Sequence, residues 1–340
     1  MLRTSVKKNL TTLGYVTINN SHGFSKGKNG FQISGRMQEL MVYAGQLDSY
    51  EKCNEVIEEF TGVKVSTVQV YRVTDLYGEE IGKTVNEQPT LTPLKKDEVL
   101  YAQADGSMLL TREDGWKEVK VGRLFKSDDC IHADQKKGWI SNSQYTAHLG
   151  NSKDFTKIMD DLIEAYGSLN NRLIFISDGA TWIKNWITDA FPNAISILDY
   201  YHACEHLHGF TNTYFNDKNS EQDWIKVQKE LLLKSEVNTV IENIKQLAAD
   251  NKEAQNLIAY YDGNKERMDY KRYQQIGCGI IGSGAIESAH RTVVQKRMKQ
   301  SGQRWTIQGA QNMLNLRVTR KNLRWNKIVE LVKSEFKAAA

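Results

Sequence analysis

Residues 173–199, LIFISDGATWIKNWITDAFPNAISILD, decide the fold. Leu173–Ile176 is a short, wholly apolar run, which predicts a strand covered on both faces. Ser177-Asp178-Gly179 closes it. Trp182, Ile183, Trp186 and Ile187 then recur at helical spacing, and Ile195–Leu198 gives a second apolar strand ending in Asp199. Strand, helix and strand in this order build a parallel sheet with helices packed on it.

Working upstream, Phe155, Ile158, Met159, Leu162, Ile163 and Tyr166 mark an amphipathic helix closed by Gly167, and Ser143–Leu149 reads as a strand. Val99–Ala104 is an apolar run ending at Asp105-Gly106. Met108–Thr111 follows, with a turn at Glu113-Asp114-Gly115, and Trp116–Lys126 alternates with Val119, Val121 and Phe125 on one face. Antiparallel strands first and helix–strand repeats afterwards are the order of an RNase H-like fold. The expected class is therefore α/β, a mixed sheet with helices on both faces. Pro89 and Pro93 mark its front boundary.

Before that boundary the chain reads as helical. Met37, Leu40, Met41 and Ala44 share a face, a second helix spans about Ser49 to Phe60, and Ser66 caps a third. Helix, Gly-containing turn and helix, with Thr67, Gln69 and Arg72 on the second helix, has the form of a helix-turn-helix. A small helical packing module fits the same pattern equally well. Residues 1–30 are polar and read as an extended lead-in. Downstream, residues 204–275 turn helical, for example at Val237, Ile241, Ile244 and Leu247, and form an all-α insertion in which Met268, Tyr270 and Tyr273 pack against the sheet. The Gly-rich stretch GCGIIGSGAIESAH (277–290) then enters a basic helix, with further helices near Trp305–Arg320 and Asn326–Phe336. The expected organisation is a helical N-terminal module at 1–90, a first core part at 97–203, the insertion at 204–275 and a core return at 276–340.

Composition narrows the function. The chain has 340 residues and a formal net charge of +4, but the charge is uneven. Residues 271–340 hold 14 Lys/Arg against 3 Asp/Glu, and the remainder is net acidic. A basic tail on an acidic body suits a polyanionic partner, above all nucleic acid. There is no apolar run of membrane-spanning length, and the N-terminal residues lack the apolar core of a signal peptide. Cys53, Cys130, Cys204 and Cys278 are far apart, so a disulfide framework is not expected and a cytoplasmic setting is.

Three acids share a position in this scheme: Asp105 and Asp178 at strand ends, and Glu287 just inside the helix after the Gly-rich loop. Only folding can bring together residues so far apart in sequence. Each taken alone has an ordinary explanation, a turn Asp or a first-turn helix acid. Together, three hard oxygen ligands suit Mg²⁺ or Mn²⁺. Asp199 and His202 form a D-x-x-H at a strand-to-helix junction. They read as a structural capping pair or as neighbours of the site that position a ligand or assist proton transfer. His202 and His206, four residues apart, also admit a zinc reading, although the H-E-x-x-H pattern is absent. After Glu287 come Arg291, Lys296, Arg297, Lys299 and Arg304, expected to contact phosphates or to form a solvated basic face. Trp305 and Trp325 would cap the core or stack bases.

The segments ADGSMLL, GWKEVKVGRLF, SDGATWIKNWITDAFPNAISILDYYHACEHL, ERMDYKRYQQIGCGIIGSGAIESAHRTVVQKRMKQSG and RWTIQGAQNMLNLR resemble a bacterial insertion-sequence DDE transposase of the ISKra type, related to Mutator-like transposases. The resemblance runs from about Met37 to Arg324. It implies an RNase H-like catalytic domain with an α-helical insertion between the second Asp and the Glu. It matches Asp105, Asp178 and Glu287 to the family's catalytic, metal-holding acids, and Asp199 and His202 to its C/D-x-x-H motif. It further implies two Mg²⁺ ions, replaceable by Mn²⁺, cleavage at transposon ends with 3′-OH strand transfer into target DNA, and a homodimer or larger assembly on paired ends. A DNA-binding descendant without chemistry and an RNase H-like nuclease without strand transfer are the alternatives. Residues 1–30 depart from the pattern, with no Cys and only His22 where such proteins often carry a metal knuckle.

Overall fold

The computed structural model describes residues 7–11, 14–18, 28–86, 90–132, 138–167 and 172–334. Lys7–Thr11 (β1) and Gly14–Ile18 (β2) pair antiparallel, where the sequence suggests only an extended lead-in. Pro89 falls outside the described residues, as does the end of the last expected helix beyond Ser334.

Three helices follow: α1 (Gly35–Gly45), α2 (Tyr50–Thr61) and α3 (Thr67–Gly82). Their boundaries are chemically set. Ser34, Ser49 and Ser66 accept from backbone N–H groups of the first turns, and Ser66 with Gln69 completes a reciprocal capping box. Gly62, at φ 65°, closes α2 in the left-handed conformation that costs glycine nothing.

The central sheet contains β3 (Leu100–Thr111), β4 (Gly115–Lys126), β7 (Gln144–Leu149), β8 (Leu173–Ser177) and β9 (Ile195–Leu198). Its order is β7-β4-β3-β8-β9. Strands β3, β8 and β9 run parallel, and β4 is antiparallel to both neighbours. A small side hairpin, β5 (Cys130–His132) with β6 (Gly138–Ile140), stands apart from this sheet and carries no clear sequence signal. One expectation fails locally: Asp105-Gly106 does not end a strand. β3 runs through it in unbroken register with β4, Asp105 facing Val121, until Gly115 at φ 69° closes the hairpin. Cross-strand pairing overrides the local turn preference of Asp-Gly.

Alternation along β3 sorts the two faces. Leu100, Ala102 and Ala104 join Leu124 and Phe175 under α4 (Ser152–Glu164) and α5 (Thr181–Ala190), through Phe155, Met159, Ile183 and Trp186. Tyr101, Ile174, Ile176 and Ile197 face the other way, into the insertion. That insertion comprises α6 (Tyr200–Tyr214), α7 (Lys218–Leu233), α8 (Val237–Ala248), α9 (Lys252–Asn264) and the short α10 (Tyr270–Tyr273). Met268, Tyr270 and Tyr273 pack in the same core as the sheet residues, as expected.

The chain returns through α11 (Gly284–His290), a π turn at Arg291–Gln295, α12 (Lys296–Met298), α13 (Ile307–Lys321) and α14 (Trp325–Lys333). Here the expected modules merge. Leu316, Ile328 and Val332 from α13 and α14 share one core with Met41, Val42, Val70, Val73 and Tyr77 from the N-terminal helices. Helix α13 also covers the outer edge of β7. Gln311 and Asn322 accept from the Leu149 and Tyr145 N–H groups at 2.9 and 2.7 Å, so this edge offers fewer free donors to another chain. No helix among the described residues is long and apolar enough to cross a membrane.

Candidate functional site

Strands β3 and β8 pair from Leu100↔Leu173 to Gln103↔Ile176. Asp105 and Asp178 each stand two residues beyond that last pair. Two adjacent parallel strands thus present one carboxylate each just past the end of their mutual pairing, Asp105 while still paired with β4. Asp178 accepts from Ala180 N–H at 3.0 Å through Oδ1, which fixes its side chain at the start of α5. Asp105 Oδ1 accepts from Gly106 N–H at 2.7 Å. Burial holds the Asp105 carboxyl above its usual range, and the charges of Asp178 and Glu118 add to the rise. His290 and the Gly106 N–H oppose it.

His290, only 3% exposed, is the residue the sequence does not single out. Its Nε2 lies 3.0 Å from the Asp105 carbonyl oxygen and 3.4 Å from Asp105 Oδ2, while Nδ1 lies 3.1 Å from Ser107 Oγ. A carbonyl can only accept, so Nε2 carries the proton and Nδ1 accepts from the Ser107 hydroxyl. Burial lowers the His290 pKa and favours this neutral form, with Asp105 pulling the other way. A helix turn beyond Glu287 therefore holds Asp105 by backbone and side chain together.

Glu287 stands in the first turn of α11, which packs against β3 and β4, but its side chain is exposed. Asp105 and Asp178 are brought together; Glu287 does not join them in a ligand cluster. Among the described residues no group of three or more His, Cys, Asp and Glu is arranged to hold a metal ion.

Asp199 and His202 separate in role. Asp199, 2% exposed, caps α6 by accepting from Tyr201 N–H at 2.8 Å, and it accepts from the Ser283 hydroxyl. Tyr200 N–H donates to Ile281 O at 3.0 Å, Gln103 Nε2 to Gly282 O at 3.3 Å and Arg123 to Ala285 O at 2.7 Å. These bonds fasten the Gly-rich loop that delivers α11. His202 does not pair with Asp199: it faces His206 and Glu205. A second anchor, Arg267, is 5% exposed and carries no sequence signal. It donates to Ser177 Oγ at 2.7 Å and Ser196 Oγ at 3.0 Å, and approaches the Asp178 carbonyl at 3.4 Å, tying the insertion to the ends of β8 and β9.

Of the basic residues expected on DNA, Arg291, Lys296, Lys299 and Arg304 are exposed. Lys299 is close enough to Asp105 for the two charges to interact. Arg297 is a correction. It is 1% exposed, lies 4.7 Å from the Tyr50 ring and 5.0 Å from the Trp305 ring, and donates to Gly45 O at 2.9 Å. The cause is the π turn: its extra residue rotates the downstream side chains by about 100°, so a count of α-helical turns from Glu287 puts Arg297 on the wrong face. Trp305 takes its core reading, 7% exposed with its indole N–H donating to Met298 O. Thr67, Gln69 and Arg72 stand exposed on α3, after a turn from α2.

Residues 30–335 match UPF0236, an uncharacterised protein family, and the chain belongs to it. It is 25% identical over 283 residues to a Streptococcus gallolyticus protein described as "UPF0236 protein in vanSb 3'region". The match takes in 81% of the chain and spans 60% of that relative's length.

Proposed function

We propose that this member of UPF0236 cuts and joins DNA strands by metal-assisted displacement on phosphorus, in the manner of the insertion-sequence DDE transposases its motifs resemble. The observation that carries the reading is the placement of Asp105 and Asp178 on adjacent parallel strands, each two residues past their last mutual pair. The sheet supports it too: strands taken in chain order lie 3-2-1-4-5 with only the second antiparallel to its neighbours, the arrangement of an RNase H-like fold, and an all-α insertion separates Asp178 from Glu287.

The acid pair fits a hard divalent cation. Both residues offer carboxylate oxygens, and the half-buried Asp105, disfavoured as an anion, is a group that a cation would relieve. Bound Mg²⁺, or Mn²⁺ in its place, supplies the charge neutralisation that in-line phosphoryl displacement needs. The chain's own residues do the rest. His290 orients Asp105, the Asp199–Ser283 link holds the loop before α11, and Glu287 approaches the pair from α11 when DNA is seated. Arg291, Lys296, Lys299 and Arg304 bind phosphates, Lys299 nearest the acids. Thr67, Gln69 and Arg72 offer a second surface for DNA, and two copies would hold the two ends of an element. The exposed position of Glu287 favours one other reading, a DNA-binding protein without the chemistry.

Incubation with labelled DNA from the flanks of the coding region and a target plasmid, in Mg²⁺, separates these readings. Joined product that disappears in Asp178→Asn supports the proposal. Nicks without joining support a nuclease without strand transfer, and a mobility shift alone supports the binder.

A further inference from the structure

A second cluster lies beside Asp178, outside the acid pair. His202 and His206 stand one turn apart on α6, and their Nε2 atoms are 3.3 Å from each other. Two Zn–N bonds of about 2.0–2.1 Å meeting at the tetrahedral angle set their nitrogens about 3.3–3.4 Å apart. The pair therefore has the bite of a chelate before any ion arrives. We propose that His202 and His206 bind a borderline transition-metal ion, Zn²⁺ foremost, through their Nε2 atoms.

The surroundings agree on four points. Glu205 Oε2 lies 3.3 Å from His202 Nδ1, which favours the proton on Nδ1 and leaves Nε2 bare to accept from His206 Nε2, whose proton moves to its own Nδ1 or to solvent when an ion binds. The His206 ring stacks on Tyr260 with centroids 4.0 Å apart, which limits its rotation, and the Tyr260 hydroxyl is buried without a hydrogen-bond partner next to Gly179. Asp178 is close enough to act electrostatically on His206, so a cation held there has an acid to face. The pair is also open to solvent, which gives an ion a path in. Cys204, between the two histidines in sequence, points into the core and does not join them. Imidazole ligands select zinc, copper or nickel over magnesium, so this ion is chemically distinct from the one proposed for the acid pair.

The site goes beyond the proposed function and is tested without DNA. The full-length chain, freed of metal, is titrated with Zn²⁺ against a chromophoric chelator, and with Co²⁺, whose visible absorption reports tetrahedral imidazole ligation. The expected result is one ion per chain in the micromolar range, unaffected by excess Mg²⁺. His202→Gln and His206→Gln remove it, and Glu205→Gln weakens it about tenfold. Circular dichroism verifies that the variants keep their helices. Asp105→Asn keeps Zn²⁺ binding, so the two sites fail separately. Absence of binding in the wild-type chain, or binding unchanged in the double histidine variant, overturns the inference.

Discussion

The half-buried acid pair at β3 and β8 and the buried arginines that reach the C-terminal end of α1 use charge for opposite ends. Arg317, on α13, donates to the Gln46 and Val293 carbonyls at 2.5 and 3.1 Å and also to the Thr292 carbonyl. Arg297 donates to the Gly45 carbonyl between two aromatic rings. These guanidinium groups spend their donors on backbone oxygens of other segments and so join the N-terminal helices to the return segment. Asp105 and Asp178 do the reverse. Their charges act on each other and burial disfavours Asp105 as an anion, an arrangement that suits a cation better than it suits the chain alone. Arg317 is satisfied by backbone oxygens; the acid pair, on the proposed reading, is completed by a ligand. The basic tail accordingly divides, part of its charge going to folding and the rest to the surface.

Substitutions on each side test that contrast. Arg317→Met should have the largest effect, a loss of about 3 kcal/mol or more in urea unfolding, because three carbonyl groups lose a charged donor. A change under about 1 kcal/mol would mean that water replaces those bonds. Asp199→Ala should cost about 2 kcal/mol, since both the α6 cap and the Ser283 link disappear. It should also lower activity more than Ser66→Ala, a cap remote from the acids whose loss costs about 1 kcal/mol.

Asp105→Asn should move stability the other way. The folded-state pKa of Asp105 is raised, so the folded chain binds more protons than the unfolded chain, and stability falls as pH climbs from the ordinary Asp value through the raised one. Asparagine carries no such penalty. The variant should melt a few degrees above wild type at pH 7 in metal-free buffer, and the gain should vanish below about pH 4. A lower melting temperature at pH 7 would make Asp105 a structural acid. The smallest effect belongs to the surface. Lys296→Ala should weaken binding to any DNA sequence and reduce the slope of log K against log salt by about one unit. Arg297→Lys should leave that slope unchanged and show its cost in stability.

The sheet was legible because its strands are apolar on both faces and its helices are periodic and capped: the strand at Leu173–Ile176, the helix through Phe155 and Tyr166 and the Ser66 cap follow directly from residue pattern. The acids were legible as residues, but Asp105 not as a mid-strand position, because Asp-Gly is locally a turn and only the β4 partner extends it. His290, Arg267 and the Asp199–Ser283 link act across long sequence separations, and nothing local announces such contacts. The π turn was hidden for a related reason: hydrophobic spacing after Glu287 fits an unbroken α-helix, whereas packing inserts a residue and turns Arg297 inward.

The proposed chemistry requires Asp105 and Asp178 to act as one cation-binding unit, and thermal melting with and without Mg²⁺ tests this most directly. A ligand that binds only the folded state raises the melting temperature, the more so the further its concentration exceeds its Kd. Wild type should gain stability with Mg²⁺, while Asp105→Asn and Asp178→Asn should each lose that gain. An equal Mg²⁺ response in all three proteins would contradict the claim.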